Sequence, residues 1–237
     1  MNIALLTAAG SSTRMGQDIP KQFLTVNERP VIVYTMEAFQ HHPEIDEIAV
    51  VCLQGWEKIL QAYANQFNIS KLKLIVPGGD SGQESIYNGI QALAKEHSMD
   101  DLVLVHDGNR PFLSSKIITD CIATAERYGC SVAAIPCQEA MVLTDDGIVS
   151  TGNIDRDHLK RTQTPHGFTL GKMCELHERA REKGITNTTA TCTLMMELGE
   201  PVYFYDGSEK NIKLTTLEDM DIFKALLMAK RADWLKG

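Results

Sequence analysis

Short apolar runs alternate with helical-period segments through the first 136 residues of this 237-residue chain, and that alternation restricts the fold more than any other feature. The runs lie at residues 3–7, 48–53, 72–76, 102–105 and 132–135. Each is short and bounded by glycine, proline or small polar residues, the pattern of a buried strand. Between them apolar side chains return at helical spacing. Val31, Tyr34, Thr35 and Ala38 share a face behind Pro30, a residue suited to a first helical position. Trp56, Ile59, Leu60 and Tyr63 repeat the pattern and read as core rather than as an aromatic binding surface. Ile86, Ile90 and Leu93 mark a third helix, and Ile117, Ile118, Cys121 and Ile122 a fourth. Strands alternating with helices predict an α/β fold on a mainly parallel sheet. Such sheets bind ligands outside the carboxyl ends of their strands.

Three candidate motifs fall at those ends. The first strand runs into Ala8-Ala9-Gly10-Ser11-Ser12-Thr13-Arg14-Met15-Gly16, with Pro20-Lys21-Gln22 close behind. Residues 8–13 carry little bulk, so successive N–H groups can form an anion-binding concavity, and Arg14 and Lys21 add two cations. This is neither a Walker A loop nor a dinucleotide fingerprint, because the glycine spacing fits neither. An ordinary strand-to-helix turn is the alternative. After the third strand, Gly78-Gly79-Asp80-Ser81-Gly82-Gln83-Glu84-Ser85 offers small residues for close contact with a base or ribose, or is a plain turn. After the fourth comes His106-Asp107-Gly108-Asn109-Arg110-Pro111. Asp107 can hold a divalent cation that bridges phosphates; otherwise it is a helix cap or a partner of Arg110. His106, beside a buried strand, reads as structural.

The alternation stops after Pro136. Met141-Val142-Leu143, Thr144-Asp145-Asp146-Gly147 and Ile148-Val149 predict a hairpin with an Asp-Gly turn. Residues 137–165 have little apolar mass to fold back, so they predict an arm that needs a partner, a second copy of the chain. Arg156 sits in this arm. Helices are expected at residues 170–183, 193–198 and 217–234, a late strand at 202–205, and Lys213 and Thr215 in a loop between strand and helix. The whole of residues 1–237 reads as one domain with the arm as an excursion.

A formal charge of −8 gives no case for nucleic acid or an anionic membrane, so any anionic ligand needs a local cluster of cations. Six cysteines without a Cys-x-x-Cys pair or a zinc spacing read as reduced thiols in a cytoplasmic protein. No apolar run approaches membrane-spanning length, and the chain enters its first strand without a secretory leader pattern.

Taken together, the motifs resemble the cytidylyltransferases that activate 2-C-methyl-D-erythritol 4-phosphate or ribitol 5-phosphate. The matching pieces are Ala8-Ala9-Gly10 with Arg14-Met15, Pro20-Lys21-Gln22, Gly78-Gly79 with Ser85, and His106-Asp107 with Arg110-Pro111. Asp155-Arg156, Gln163-Thr164-Pro165, Asn211-Ile212-Lys213, Thr215-Thr216 and Glu218-Asp219 complete the set, in family order. The resemblance implies a doubly wound, Rossmann-like nucleotidyltransferase fold whose protruding β-arm builds a homodimer. It implies transfer of CMP from CTP to a polyol phosphate, with Mg²⁺ on Asp107. Arg14, Lys21 and Lys213 would be catalytic. Ala8, Ala9, Gly10, Ser11, Ser12, Gly78, Gly79 and Ser85 would hold the nucleotide, and Arg156, Arg110 and Thr215 the acceptor, Arg156 reaching over from the partner subunit.

The chain departs from the family pattern in several places. Gly82 stands where many members have an arginine that helps read the base, and Ser12 where a glycine is usual. Glu139-Ala140 replaces Asp-Thr in the arm, Gly108-Asn109 replaces two small apolar residues, and Ala190-Thr191-Cys192-Thr193 replaces an acidic stretch. Most of these lie near the acceptor, so a ribitol 5-phosphate-like acceptor for a surface polysaccharide is expected over the methylerythritol compound of isoprenoid synthesis. A sugar-phosphate enzyme and a non-catalytic nucleotide-binding paralogue are the other readings.

Overall fold

The computed structural model describes residues 1–10 and 19–233. At its centre lies β1 (Asn2–Ala8), buried on both faces: Ala4, Leu6 and Ala8 enter one apolar cluster, Ile3 and Leu5 the other. A strand covered on both sides has to read as an unbroken apolar run. A small hairpin of β2 (Thr25–Val26) and β3 (Arg29–Pro30) leads into α1 (Val31–Gln40). Pro30 stands just outside the first turn because it closes β3 against Thr25, one residue short of the position its sequence suggests.

Next come β4 (Glu47–Cys52), α2 (Glu57–Gln66), β5 (Leu72–Pro77), α3 (Gly82–Leu93) and β6 (Leu102–Asp107). β4 and β6 flank β1, β5 flanks β4, and all these pairs are parallel. β6 is longer than its apolar run and includes His106 and Asp107. α3 opens with Ser81 Oγ accepting from Glu84 N at 3.1 Å, while Glu84 Oε2 accepts from Asp80 N at 2.8 Å, a reciprocal cap. α4 (Ser115–Tyr128) ends at Gly129, whose φ of 81° suits glycine, and β7 (Cys130–Pro136) follows.

β7 does not pair with β6. The chain leaves as a hairpin of β8 (Met141–Leu143) and β9 (Gly152–Ile154), then returns as β10 (Lys160–Thr169), antiparallel between β6 and β7. The excursion therefore ends before Lys160, not at residue 165, and the sheet is mixed. The second hairpin strand is also not Ile148-Val149. Asp146 Oδ1 accepts from the N–H groups of both residues, at 2.8 and 3.0 Å, and holds them in the turn. After β10 come α5 (Leu170–Glu182), α6 (Thr191–Glu197), β11 (Phe204–Asp206) and α7 (Leu217–Asp233). The strand order is β11-β7-β10-β6-β1-β4-β5.

Ile32, Met36, Leu60, Ile118 and Ile122 from α1, α2 and α4 cover one face; Ile90, Met173, Leu176 and Leu194 from α3, α5 and α6 cover the other. Each such side chain contributes about 1.5–3 kcal/mol by leaving water. Ile59 is an exception, exposed on the outer side of α2. Met220 and Phe223 of α7 pack with Val26, Val31 and Leu214, which fixes the loop before α7 against the carboxyl edge of the sheet. All six cysteines are free thiols, and burial pushes Cys52 up to about 12 and Cys121 to about 11.

Candidate active site

A cavity of about 670 Å³ opens along the carboxyl ends of β1, β5 and β6. On its floor, Ala8, Ala9 and Gly10 line it with Gly79 and Ser85. The buried Gln22 amide donates to Ala8 O at 2.7 Å and Gly10 O at 3.1 Å, so Pro20-Lys21-Gln22 fastens the first loop from below and brings Lys21 to the cavity wall. Ser85 Oγ accepts from Gly79 N at 3.1 Å. Gly78 does not line the cavity. A Cβ there would collide with Ala9 Cβ, so its lack of a side chain lets the two loops abut. Gly82 faces open space, with nothing within 4 Å of where a Cβ would stand. Ser11, Ser12 and Arg14 lie outside the described residues.

Charge concentrates around Asp107. Its backbone N–H donates to Thr164 Oγ1 at 3.0 Å. Its carboxylate accepts from Arg110 Nε at 2.9 Å and from Lys213 Nζ at 2.9 Å. Burial alone would raise its pKa, but Lys213 and Arg110 outweigh that and hold the carboxyl well below the usual carboxylate range. Arg110 also donates to Asn211 O at 2.7 Å, and Asn109 Nδ2 donates to Leu214 O at 2.6 Å. Asn211 Nδ2 reaches Thr164 O at 2.8 Å. These bonds lace the Lys213 loop to the end of β6, and they explain Asn109: a small apolar residue could not make the bond to Leu214.

Two predicted acceptor residues stand elsewhere. Thr215 does not line the cavity; its N–H and hydroxyl donate to Asp219 Oδ2 at 2.6 and 2.8 Å, while Thr216 Oγ1 accepts from Asp219 N at 3.3 Å and caps α7. Arg156 is exposed in the arm, donates to Gln138 O at 2.6 Å, and does not line the cavity of its own chain. His106 is structural, as its position suggests, fully buried with Nε2 3.2 Å from Arg110 O. Burial pushes it down to about 4, and does the same to His166.

The opposite wall was marked in the sequence only through Gln163-Thr164-Pro165 and Ala190-Thr191-Cys192-Thr193. Thr162 and Thr164 of β10, Thr188 and Thr189 before α6, Thr191 and Thr193 in its first turn, and His177 of α5 all line the cavity. Gln83 fixes this wall: its Oε1 accepts from Thr188 N at 2.9 Å and Thr188 Oγ1 at 3.1 Å, and its Nε2 donates to Ile185 O at 2.8 Å. The available signal was the threonine-rich run Thr186-Asn187-Thr188-Thr189-Ala190-Thr191-Cys192-Thr193.

Residues 2–229 match the family described as "IspD: 2-C-methyl-D-erythritol 4-phosphate cytidylyltransferase". The chain belongs to this family. IspD-family cytidylyltransferases are nucleotidyltransferases, and this chain is an enzyme of that type. A protein of Lacticaseibacillus paracasei named ribitol-5-phosphate cytidylyltransferase is 39% identical over 232 residues, covering 97% of this chain and 99% of its own length. One of Desulforamulus reducens named 2-C-methyl-D-erythritol 4-phosphate cytidylyltransferase is 36% identical over 228 residues, covering 95% of each. The crystal structure of 2-C-methyl-D-erythritol 4-phosphate cytidylyltransferase from Thermus thermophilus is similar at a TM-score of 0.76 and 28% identity, covering 95% of this chain and 98% of that one. The mixed sheet with helices on both faces is thus the family's doubly wound fold.

Proposed function

We propose that this enzyme transfers CMP from CTP to a polyol phosphate of the ribitol 5-phosphate type and releases pyrophosphate. The observation that carries the reading is a shared cavity in which the small-residue floor of Ala8, Ala9, Gly10, Gly79 and Ser85 faces the Arg110–Asp107–Lys213 cluster. The floor suits the cytidine, and the cations suit phosphate groups of both substrates. The ribitol name of the Lacticaseibacillus relative supports the acceptor class.

A phosphate oxygen of the acceptor attacks the α-phosphorus, the new O–P bond forms, and the bond to the β-phosphate bridging oxygen breaks. A phosphate monoester is largely ionised near neutrality, with a second pKa of about 6, so no general base is required. The barrier is electrostatic, and Lys21, Lys213 and Arg14 would offset charge on the phosphates as it redistributes. Arg110 orients Asp107 and braces the Lys213 loop.

Mg²⁺ fits this donor set as a cation held mainly by the nucleotide. Among the described residues no group of three or more His, Cys, Asp or Glu could hold a metal alone. Asp107 is one carboxylate, with about four lone-pair sites of which two are taken, and Mg²⁺ commonly needs only one or two carboxylates plus phosphates. When bound there it would neutralise phosphate charge.

The arm exposes Met141, Val142, Leu143, Ile148 and Val149. A bare hairpin of this kind needs a partner, and the reading includes a homodimer in which Arg156 of each arm approaches the other subunit's acceptor phosphate. No helix among the described residues is long and apolar enough to cross a membrane, and six free thiols support a cytoplasmic setting.

The test is pyrophosphate release with Mg²⁺, four nucleoside triphosphates and a panel of polyol phosphates. Turnover is expected with CTP and ribitol 5-phosphate. Turnover with 2-C-methyl-D-erythritol 4-phosphate alone would favour the second reading, which the family description and the Desulforamulus relative support. Silence throughout would sink both.

A further inference from the structure

Lys213 stands in a segment without regular structure, between the end of β11 at Asp206 and the start of α7 at Leu217. Its side chain is 43% exposed on a flexible stem, so packing does not place the ammonium and the anchors of its backbone must. One end of the segment is held at Leu214 by Asn109. The other end is held from β10. Gln163 Oε1 accepts from Ser208 N at 3.1 Å, and Gln163 Nε2 donates to Ser208 O at 2.9 Å. The two ends of one amide thus engage the backbone of one residue, the same exchange that a hydrogen-bonded pair makes in an antiparallel ladder. β7 lies between β10 and β11, so this side chain spans a strand to reach the loop. The residue opposite Gln163 in β7 is Ala133, small enough to be crossed. Gly207 completes the seat, because a Cβ there would collide with Gln163 Oε1.

The clamp continues to the reacting end of the loop. Asn211, fully buried, donates from its backbone N to Ser208 O at 2.9 Å and from Nδ2 to Thr164 O at 2.8 Å. Thr164 Oγ1 in turn accepts from Asp107 N at 3.0 Å. Two adjacent residues of β10 therefore hold both members of the Lys213–Asp107 pair, Thr164 through the aspartate's backbone and Gln163 through the lysine's loop. They sit where the register of β10 shifts, an irregularity of the kind that re-aims side chains beside a site. Arg161 also reaches this loop, pairing with Glu209 at 2.6 Å, but that pair is about half exposed and adds little. We infer that Gln163 is a positioning residue, whose amide sets the loop of residues 207–213 so that the Lys213 ammonium stands at Asp107, in place for phosphate. The inference rests on the polyol phosphate reading above and gives the returning strand of the arm control over the lysine.

The test uses Gln163→Leu, which keeps bulk and removes both hydrogen bonds, and Gly207→Ala, whose methyl displaces the amide without altering it. Each should lower kcat with CTP and ribitol 5-phosphate about tenfold to hundredfold, the scale of a reacting group misplaced by about 1 Å. The Kd for CTP, titrated without acceptor, should not move. In a Lys213→Ala background, Gln163→Leu should add less than about a twofold further loss, because residues that act through one group are not additive. A third readout needs no turnover. In brief acetylation followed by mass spectrometry, Lys213 should be labelled severalfold faster in either variant than in the wild type, relative to the exposed Lys183. The inference is overturned if Gln163→Leu costs as much without Lys213 as with it, if the loss falls on CTP binding, or if Lys213 labelling does not change. A wild type inert toward every polyol phosphate would remove the functional reading beneath it, and the labelling would still decide whether Gln163 places Lys213.

Discussion

The two sides of the cavity hold their residues by different means. On the cationic side, Asp107 sits between Arg110 and Lys213, and the two cations are partly neutralised by the carboxylate they flank. Lys213 remains 43% exposed, so it can leave Asp107 for a phosphate at little cost in stability. On the hydroxyl-rich side the threonines are uncharged, and Gln83 fixes the backbone through hydrogen bonds. Mobile charge suits a reaction in which charge moves; fixed neutral groups suit the counting of hydroxyls. In the proposed reaction, rate would belong mainly to one side and selectivity to the other.

The sharpest way to break this division is Lys213→Ala. Turnover should fall about 10²–10³-fold, by analogy with the loss of one preorganised donor. Thermal stability should change little, because Lys213 is 43% exposed and Arg110 still pairs with Asp107. Pyrophosphate release and a melting curve on the same sample check both. Loss of folding in place of rate would mean that the cationic side is structural.

The buried imidazoles give the next effect. His106, His166 and His177 are each pushed from 6.5 to about 4 by burial, so the unfolded chain binds more protons than the folded one between those values. Stability should be fully present above pH 6.5 and drain as pH falls toward 4, with a slope of up to about 1.4 kcal/mol per pH unit for each histidine. Urea unfolding at pH 7.5, 6 and 5 measures it. A flat profile would mean that these rings carry protons in the native state.

Gly78→Ala follows. The new methyl would collide with Ala9 Cβ, which should cost about 1–3 kcal/mol and weaken CTP binding, read by denaturation and by nucleotide titration. The smallest expected effect is Gln83→Ala. Releasing the Thr188 segment should raise the acceptor KM by roughly fivefold to tenfold, about 1 kcal/mol of lost hydrogen bonding, with kcat nearly unchanged. An equal fall in kcat would mean that the hydroxyl-rich wall also serves the chemical step.

The parallel half of the fold was legible because β1, β4 and β6 are buried on both faces and have to be continuously apolar. β10 was hidden for a functional reason. Thr162, Gln163, Thr164 and His166 give it a polar sequence interrupted by Pro165, yet these same four residues line the cavity. The strand is central in the sheet and polar because it forms part of the site. Likewise Asp107, Lys21, Gly79 and Ser85 could be read from motifs at strand ends, since small size or charge there has few other uses, whereas Lys213, in a loop between strand and helix, stood out only through the family resemblance. Thr215 bonds Asp219 at the start of α7, a use that its sequence position does not separate from a ligand contact. Gln83 and His177 carried no signal, because what they do depends on a helix pair that meets only in three dimensions.

The placement of β10 also bears on how the protein is made. Asp107 and Thr164 are hydrogen-bonded but 57 residues apart in sequence. At about 5–20 residues per second, a ribosome would expose the open edge of β6 for roughly 3–11 s before its neighbour could emerge. The arm is synthesised within that interval, with Val142, Leu143 and Ile148 uncovered. A nascent chain thus presents an unpaired strand edge and a bare apolar hairpin at the same moment, and chaperone demand should peak there rather than at either terminus.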